Sequence, residues 1–296
     1  MASPPTPTTP AAFALARFGL VGRHALVTGG SKGIGAACVE ELARLGARVF
    51  TCARTQADLD AALAGWAAAG LTVGGCTADC ATPAGRAALL ASEATWRHGA
   101  SGSDALLSLL VLNVGTNRVK PTTGYTDDDL AHLLASNFES AFCLARDAHP
   151  ALAAAGKRDL SPPPPDAPDS LGPPGSAITL ISSVAGGPQS MRSGTIYAAT
   201  KAALDQLART WAVEWAGDGI RVNAVKPFYT DTPLVRYVVH DAPDVRAAVL
   251  AATPARRIAA PADVAGAVAW LSGPAAVHVT GVCVAVDGGY MARGFW

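Results

Sequence analysis

The chain has 296 residues, which is enough for one large domain or two small ones. Lysine and arginine number 23 and so do aspartate and glutamate, half of the residues are hydrophobic and only 16% are charged. This composition excludes a disordered chain, which needs low hydrophobicity and high charge. It also argues against a nucleic-acid-binding protein, which carries a basic excess.

Several other classes are disfavoured by the sequence. No stretch of about 20 strongly apolar residues is present, so we expect no membrane span. The six cysteines lack regular spacing, and we expect reduced thiols and no metal site. The first residues show no apolar secretion signal, which favours a cytoplasmic protein. Residues 1–23 contain no acid, a weak feature of organelle transit peptides, so a plastid remains the alternative.

Two proline-rich segments stand apart from the rest of the chain. Residues 1–17 are predicted to form a flexible N-terminal tail. Residues 156–176 hold seven of the 21 prolines and are predicted to form a surface insertion, because proline lacks the amide hydrogen that helices and sheets require. The pattern of elements resumes unchanged after the insertion, so residues 18–296 are predicted to be a single domain.

Short apolar strands alternate with helical periodicity along that domain. This alternation predicts a parallel sheet with helices on both faces, which is a doubly wound, seven-stranded α/β Rossmann fold. The predicted strands are His24–Thr28, Arg48–Cys52, Leu71–Cys76, Leu106–Leu112, Ala177–Ser182, Ile220–Val225 and Val282–Val286. The predicted helices are Gly33–Leu45, Gln56–Ala69, Pro83–Trp96, Asp127–Ala155, Thr195–Trp215 and Pro261–Leu271.

A glycine-rich loop joins the first predicted strand to the first helix. Thr28–Gly35 reads T-G-G-S-K-G-I-G, with the spaced glycines Gly29, Gly33 and Gly35. Backbone amides and the dipole at a helix N-terminus favour phosphate, and glycines let it approach closely. Because a strand precedes the loop and a helix follows it, the pattern predicts a dinucleotide site.

The second strand indicates which dinucleotide is bound. An NAD site usually has an acid at the end of this strand for the ribose hydroxyls. Here the strand ends in Ala53-Arg54, and the next acid is Asp58. Arg54, with Lys32 as a second cation, suits a 2′-phosphate, so we predict NADP(H). The alternative is that Arg54 is a solvated turn residue.

Four polar residues are candidates for catalysis. Tyr197 and Lys201 are four apart and share a helix face, where an ammonium would favour the phenolate. Ser183 follows a strand at the sheet edge where ligands bind. Asn137 is a poor helix former at a mid-helix position, where it could bend the helix and hold a water; from its spacing alone, a tolerated helical asparagine is the favoured interpretation.

Taken together, these motifs resemble the short-chain dehydrogenase/reductase family over about residues 18–295. The matching motifs are the glycine loop at 28–35, Asp79, Asn113–Gly115, the set Asn137, Ser183, Tyr197 and Lys201, Arg221–Val225, and Val286–Tyr290. The stretches Val49–Arg54, Ser136–Phe142, Lys226–Tyr229 and Asp287–Phe295 are similar to the tropinone reductase-like branch.

The resemblance implies a role for each site residue. Tyr197 is the proton donor, Ser183 positions the carbonyl oxygen, Lys201 binds the nicotinamide ribose and lowers the pKa of Tyr197, and Asn137 holds a water in a proton relay. The implied cofactor contacts are Gly29, Ser31, Lys32, Gly33, Ile34, Gly35, Arg54, Asp79, Cys80, Asn113, Gly115, Tyr197, Lys201, Pro227, Thr230 and Thr232.

The sequence departs from the family pattern at four places. Ser183 lies 14 positions before Tyr197 where the family usually has 13, so one residue is added in the loop 186–194. The usual N-N-A-G reads Leu112-Asn113-Val114-Gly115, and the usual P-G reads Pro227-Phe228. The proline-rich insertion is also absent from typical members.

The substrate side combines residues 184–189 with the aromatic segment 228–239. An apolar lining built from Val184, Gln189, Phe228, Tyr229 and Val235 suits a small lipophilic ketone or aldehyde. Several of these side chains could instead simply pack a short lid helix. The leading hypothesis is an NADPH-dependent carbonyl reductase that forms a homodimer or homotetramer. The alternatives are a 3-oxoacyl-thioester reductase and a non-catalytic cofactor-sensing protein.

Overall fold

The fold was analysed in a computed structural model, which describes residues 9–101, 105–159, 175–236 and 241–294. Its seven strands form one parallel sheet in the order β3-β2-β1-β4-β5-β6-β7. They are β1 (His24–Val27), β2 (Arg48–Ala53), β3 (Val73–Thr77), β4 (Leu107–Leu112), β5 (Ser176–Ile181), β6 (Ile220–Pro227) and β7 (Cys283–Val286). The predicted seven-stranded parallel sheet is confirmed.

Helices cover both faces of the sheet. They are α1 (Pro10–Phe18), α2 (Gly33–Arg44), α3 (Gln56–Ala68), α4 (Pro83–Ser101), α5 (Asp127–Leu134), α6 (Ser140–Asp159), α7 (Thr195–Glu214), α8 (Pro243–Ala252) and α9 (Pro261–Ser272). One apolar core joins the sheet to α4, α6 and α7, and a second joins it to α2, α3 and α9. Strands β4, β5 and β6 are buried along their whole length, which explains their continuous runs of mainly apolar residues.

A single helix was predicted over residues 127–155, but the structure divides this segment into two helices. A π-helical turn over residues 135–139 separates α5 from α6, and Asn137 lies inside it. π-turns inside α-helices are frequent at functional sites because the extra residue redirects side chains. From spacing alone the sequence favoured a tolerated helical asparagine at 137, so this turn is a finding of the structure.

Two further helices were not predicted. Residues 10–18 form α1, where the sequence indicated a flexible tail; Thr9 caps it through a 3.1 Å bond from the amide of Ala12. None of its residues is buried, so local capping rather than core packing explains it. Helix α8 begins at Pro243, where proline is favourable in the first turn.

The proline-rich insertion was predicted over residues 156–176, but a helix and a strand of the structure occupy the two ends of that range. Helix α6 continues to Asp159 and β5 begins at Ser176. Residues 160–174 lie outside the described residues, and the prediction for them stays a prediction.

Candidate active site

The glycine loop forms a tight crossing between β1 and α2 at the carboxyl edge of the sheet. A Cβ on Gly35 would lie 2.2 Å from the carbonyl oxygen of Gly29, so only glycine fits there. The side-chain amide of Asn113 stabilises this crossing by donating hydrogen bonds to the carbonyls of Thr28 (2.9 Å) and Gly29 (3.2 Å). Asn113, predicted as a cofactor contact, therefore also ties the loop to the end of β4.

The start of α2 leaves its first amides without a side-chain cap. Lys32 occupies the cap position in an extended conformation and makes no capping hydrogen bond, and Gly33 has a φ of +57°. Uncapped amides at a helix N-terminus are suited to phosphate. Ile34 packs against the core beneath the loop, and a Cβ on Gly33 would lie 3.2 Å from Thr232. The predicted residues Gly33, Ile34 and Thr232 are thus brought together around this cradle.

The sequence predicted that both Arg54 and Lys32 would contact a 2′-phosphate. In the structure these two cations have different surroundings. Lys32 Nζ lies 2.8 Å from a carboxylate oxygen of Asp58 on α3. Arg54 is exposed at the end of β2 and makes no ion pair with any described residue. Arg54 is therefore the uncompensated cation of this end, and Lys32 is partly neutralised.

Asp79 and Cys80 follow β3 on the same edge. Asp79 is exposed, and one carboxylate oxygen accepts from the amide of Ala81 at 3.0 Å. The Cys80 side chain is buried and its sulfur lies 3.6 Å from the sulfur of Cys52. The Cys80 thiol faces the core, so its predicted cofactor contact is limited to its backbone.

Lys201 is held rigidly beneath the candidate catalytic tyrosine. Its Nζ donates to the carbonyl oxygen of Ile181 at the end of β5 (2.8 Å) and lies 5.7 Å from the ring centroid of Tyr197. The Ser182 hydroxyl donates to the Lys201 carbonyl at 2.9 Å, which fixes α7 to the strand. Burial lowers the pKa of Lys201 to about 8, and the charge of Asp205 opposes this shift.

The Ser183 hydroxyl lies near enough to the phenol of Tyr197 to influence its pKa. Burial raises the pKa of Tyr197; the neighbouring Ser183 hydroxyl opposes the shift, and Tyr229 adds to it. The phenol is consequently protonated near neutral pH, the form that can donate a proton. The family resemblance implies that Lys201 lowers the pKa of Tyr197, but in the protein alone the net shift is upward and burial is its largest cause.

The added residue between Ser183 and Tyr197 is absorbed in the intervening loop. A 3-10 turn occupies 184–186, and the loop is tied by bonds from Asn117 to the Ser193 carbonyl (2.9 Å) and from Gln189 to the Met291 carbonyl (3.1 Å). The longer loop leaves the contact between Ser183 and Tyr197 intact.

Asn137 uses its whole amide group on neighbouring polar atoms. Its Oδ1 accepts from the amide of Thr116 at 2.7 Å, and its Nδ2 donates to the Thr116 carbonyl at 2.9 Å and to the Thr200 hydroxyl at 3.2 Å. A Cβ on Gly115 would lie 3.2 Å from Lys201 Nζ and 3.5 Å from Asn137 Oδ1. The geometry therefore places Gly115, Asn137 and Lys201 in one group.

The predicted substrate wall is aromatic and includes a residue that sequence reasoning missed. Phe228 stacks on Tyr290 with ring centroids 4.1 Å apart, and Tyr229 meets it edge-on at 4.9 Å. Asp287 folds the C-terminal segment back by accepting from the amides of Gly289 and Met291. The D-G-G turn at 287–289 was the available signal for Tyr290. Pro227 ends β6, Thr230 bridges to Ala259, and Val184 is buried.

A groove of about 850 Å³ lies next to the catalytic group. It runs between residues 119–122, the loop 185–194 and the first turns of α7, and Gln189 is the predicted pocket residue that lines it. Tyr197 and Ser183 do not line it, although Ala198 and Ala185, which follow and lie close to them in the chain, do. Val235 lies on the segment after β6, where its amide donates to the Thr232 carbonyl.

Two family models match the chain. A model described as short chain dehydrogenase matches residues 23–160, and one described as Enoyl-(Acyl carrier protein) reductase matches residues 166–291. A tropinone reductase homologue of Arabidopsis thaliana is 42% identical over 279 residues, covering 94% of this chain and 96% of the relative. The chain belongs to the short-chain dehydrogenase/reductase family.

Solved structures of family members share the whole fold. A putative NAD(P)-dependent gluconate 5-dehydrogenase from Beutenbergia cavernae, solved with NADP, is 31% identical with a TM-score of 0.80, covering 94% of this chain and all of that one. A gluconate 5-dehydrogenase from Burkholderia cenocepacia, solved with NADP and tartrate, is 27% identical with a TM-score of 0.80, covering 95% of this chain and 100% of that one. The chain is accordingly an oxidoreductase of this family.

The described residues contain no cluster of three or more histidine, cysteine or acidic side chains that could hold a metal ion. In the same ranges, no helix is long and apolar enough to cross a membrane.

Proposed function

We propose that this chain is an NADPH-dependent reductase that converts a small lipophilic ketone or aldehyde into an alcohol. The observation that carries the proposal is the buried phenol of Tyr197, with the Ser183 hydroxyl nearby and the Nζ of Lys201, fixed by a backbone carbonyl, 5.7 Å from its ring centroid. A protonated phenol beside a hydroxyl is the arrangement that binds a carbonyl oxygen and protonates it.

The residues present fit a dinucleotide. The glycine crossing and the uncapped start of α2 would hold the phosphates, and Arg54 would contact a 2′-phosphate. Lys201 and Asn113 lie at the nicotinamide half of the same edge. The bound cofactor supplies hydride to the carbonyl carbon.

The protein's own residues handle the proton. Ser183 donates a hydrogen bond to the substrate oxygen and sets its position relative to Tyr197. Tyr197 gives its phenolic proton to that oxygen as negative charge develops there. The Lys201 ammonium stabilises the resulting phenolate, and Asn137 holds the Thr116 backbone that faces this group.

The substrate class is inferred from the aromatic wall. Phe228, Tyr229 and Tyr290 present ring surface rather than charge, which favours an apolar carbonyl compound. A 3-oxoacyl thioester is the second candidate, and it belongs in the same substrate panel.

The decisive test compares Tyr197→Phe with wild type. Purified protein is incubated with NADPH and a panel of ketones, aldehydes and a 3-oxoacyl thioester, and absorbance loss is followed. With any substrate that wild type reduces, kcat should fall by at least about 100-fold while NADPH affinity changes little, because one oxygen is removed and the ring remains. Lys201→Met should lower both rate and affinity. Near-normal turnover in Tyr197→Phe would refute the mechanism.

We also propose that the protein assembles as a homodimer or homotetramer. Phe142 on α6 and Val213 on α7 are 36% and 82% exposed, on helices that pack together through Phe142 and Trp211. Light scattering after gel filtration measures the assembly, and a monomer at micromolar concentration would contradict this proposal.

A further inference from the structure

A buried ion pair lies on the same side of α7 as the candidate catalytic residues. Asp205 follows Lys201 by four residues, as Lys201 follows Tyr197, so the three share one helical face. The Lys226 ammonium on β6 bonds a carboxylate oxygen of Asp205. The side chains of Asp205 and Lys226 are 4% and 5% exposed. Charges this deeply buried act over longer distances than surface charges, since little water screens them.

The two carboxylate oxygens of Asp205 differ in their hydrogen bonding. Asp205 Oδ2 receives the ammonium of Lys226, whereas Oδ1 is buried and finds no hydrogen-bond partner among the described residues. A structural ion pair normally satisfies both carboxylate oxygens, because burying an unpaired one is costly. The negative charge of Asp205 is therefore incompletely compensated within its own pair.

The neighbouring groups identify where that charge acts. The titratable or charged groups around Lys201 and its neighbour Asp205 are Tyr197 and Arg209 from α7, Lys226 from β6 and Cys283 from β7, whose sulfur lies 3.8 Å from the Asp205 carbonyl. The polar contact of Lys201 Nζ is to the Ile181 carbonyl of β5. Among these, Asp205 is the group whose charge favours the ammonium form of Lys201.

We propose that the ion pair of Asp205 and Lys226 sets the electrostatic field at Lys201, which makes Asp205 and Lys226 positioning residues of the proton-transfer site. This inference rests on the proposed function for its catalytic consequence. Asp205 keeps Lys201 charged in a buried site, and Lys226 limits how strongly it does so. The balance of the two charges decides over which pH range Tyr197 is protonated next to an ammonium group.

The two members of the pair should act in opposite directions. Asp205→Asn removes the negative charge, so Lys201 should lose its proton at lower pH. Lys226→Met removes the cation that compensates Asp205, so Lys201 should hold its proton to higher pH. Both substitutions nearly preserve side-chain size. A merely structural role would make the two variants alike, because each breaks the same bond.

Lysine NMR tests the inference without any substrate. The chain's lysines are Lys32, Lys120, Lys157, Lys201 and Lys226, so carbon-13 labelling at lysine Cε gives few signals, and Lys201→Met assigns the relevant one. The pH midpoint of the Lys201 titration should fall by about one pH unit in Asp205→Asn and rise by a similar amount in Lys226→Met. The double variant should return it close to wild type. Lys157, paired with Asp218 on the surface, is the control and should not move.

The outcomes separate the inference from the proposed function. Shifts of Lys201 in the same direction in both single variants, or no shift in either, would overturn the inference. If one single variant does not fold, two results decide the inference. They are the direction of the Lys201 shift in the other single variant and the recovery of the wild-type midpoint in the double variant. The alkaline limb of kcat/KM for carbonyl reduction should move with the NMR midpoint, and a limb that stays in place would also overturn it. Absence of turnover with every carbonyl compound would contradict the proposed function. The NMR titration would still show whether the ion pair sets the electrostatic field at Lys201.

Discussion

The preference for NADPH over NADH should depend on Arg54 more than on Lys32. Sequence reasoning placed both cations at the 2′-phosphate, but in the structure Lys32 lies 2.8 Å from Asp58, whereas Arg54 makes no ion pair with the described residues. A contact from Arg54 to phosphate would therefore not first require breaking another ion pair. Lys32 must be shared between Asp58 and the phosphate.

The expected magnitudes follow from these partners. Losing a charge-assisted hydrogen bond costs about 1.5–3 kcal/mol, so Arg54→Ala should reduce the ratio of NADPH to NADH affinity by roughly ten- to a hundred-fold. The Lys32 and Asp58 side chains are 57% and 35% exposed, and such a surface pair contributes about 0–1 kcal/mol. Lys32→Ala should accordingly reduce the ratio by less than Arg54→Ala. Asp58→Asn should raise it a few-fold, because a negative charge next to the phosphate is removed.

Binding titrations measure these ratios without a known substrate. Dissociation constants for NADPH and NADH are obtained from cofactor fluorescence for each variant, at low and at moderate salt. Arg44→Ala is the matched control, since Arg44 is an exposed cation on α2 paired with Glu40. An unchanged ratio in Arg54→Ala would refute the reasoning. So would a change in Arg44→Ala as large as that in Arg54→Ala, because it would show that only net charge matters.

Three further predictions concern stability and the loop geometry. Gly35→Ala should lower the melting temperature and weaken NADPH binding at least about ten-fold, because the new Cβ would lie 2.2 Å from the Gly29 carbonyl; Gly65→Ala on α3, where nothing lies within 4 Å, should be neutral or slightly stabilising. Burial and the nearby Arg48 charge lower the pKa of His24 from 6.5 to about 4, so the unfolded chain binds the extra proton between these values. Stability is then complete above pH 6.5 and should fall as the pH drops to 4, and thermal melts of His24→Gln should lack this loss. Replacing residues 160–174 by a short Gly-Ser linker should leave melting temperature and NADPH affinity nearly unchanged, because closure entropy varies slowly with loop length; a large drop in melting temperature would contradict this.

Local patterns predicted the sheet, the glycine loop and the face of α7. These features depend on short-range rules: apolar runs make buried strands, and residues four apart share a helix face. The strands at 107–112 and 220–227 and the pair of Tyr197 and Lys201 therefore follow from the sequence alone.

The features missed by sequence reasoning depend on contacts between distant segments. Asn137 meets Thr116 across 21 positions, and its π-turn cannot be distinguished from a helix by periodicity. The partner of Lys32 lies on another helix. Lys226 lies within a strand that is buried along its whole length, so its charge is acceptable only because Asp205 of α7 faces it. Such pairings require the tertiary arrangement before they can be recognised.

Burial explains why the catalytic group needs charged neighbours. Removing Tyr197 and Lys201 from water favours the neutral form of both, which raises the pKa of the phenol and lowers that of the amine. A neutral amine could not stabilise the phenolate left after proton transfer, so burial alone would weaken the chemistry it protects. In the proposed arrangement, the carboxylate of Asp205 on the same helical face opposes the effect of burial and favours the ammonium form of Lys201. The ammonium of Lys226, bonded to that carboxylate, would limit how strongly Asp205 does so. The proposal therefore gives the two members of the ion pair opposite effects on the same proton.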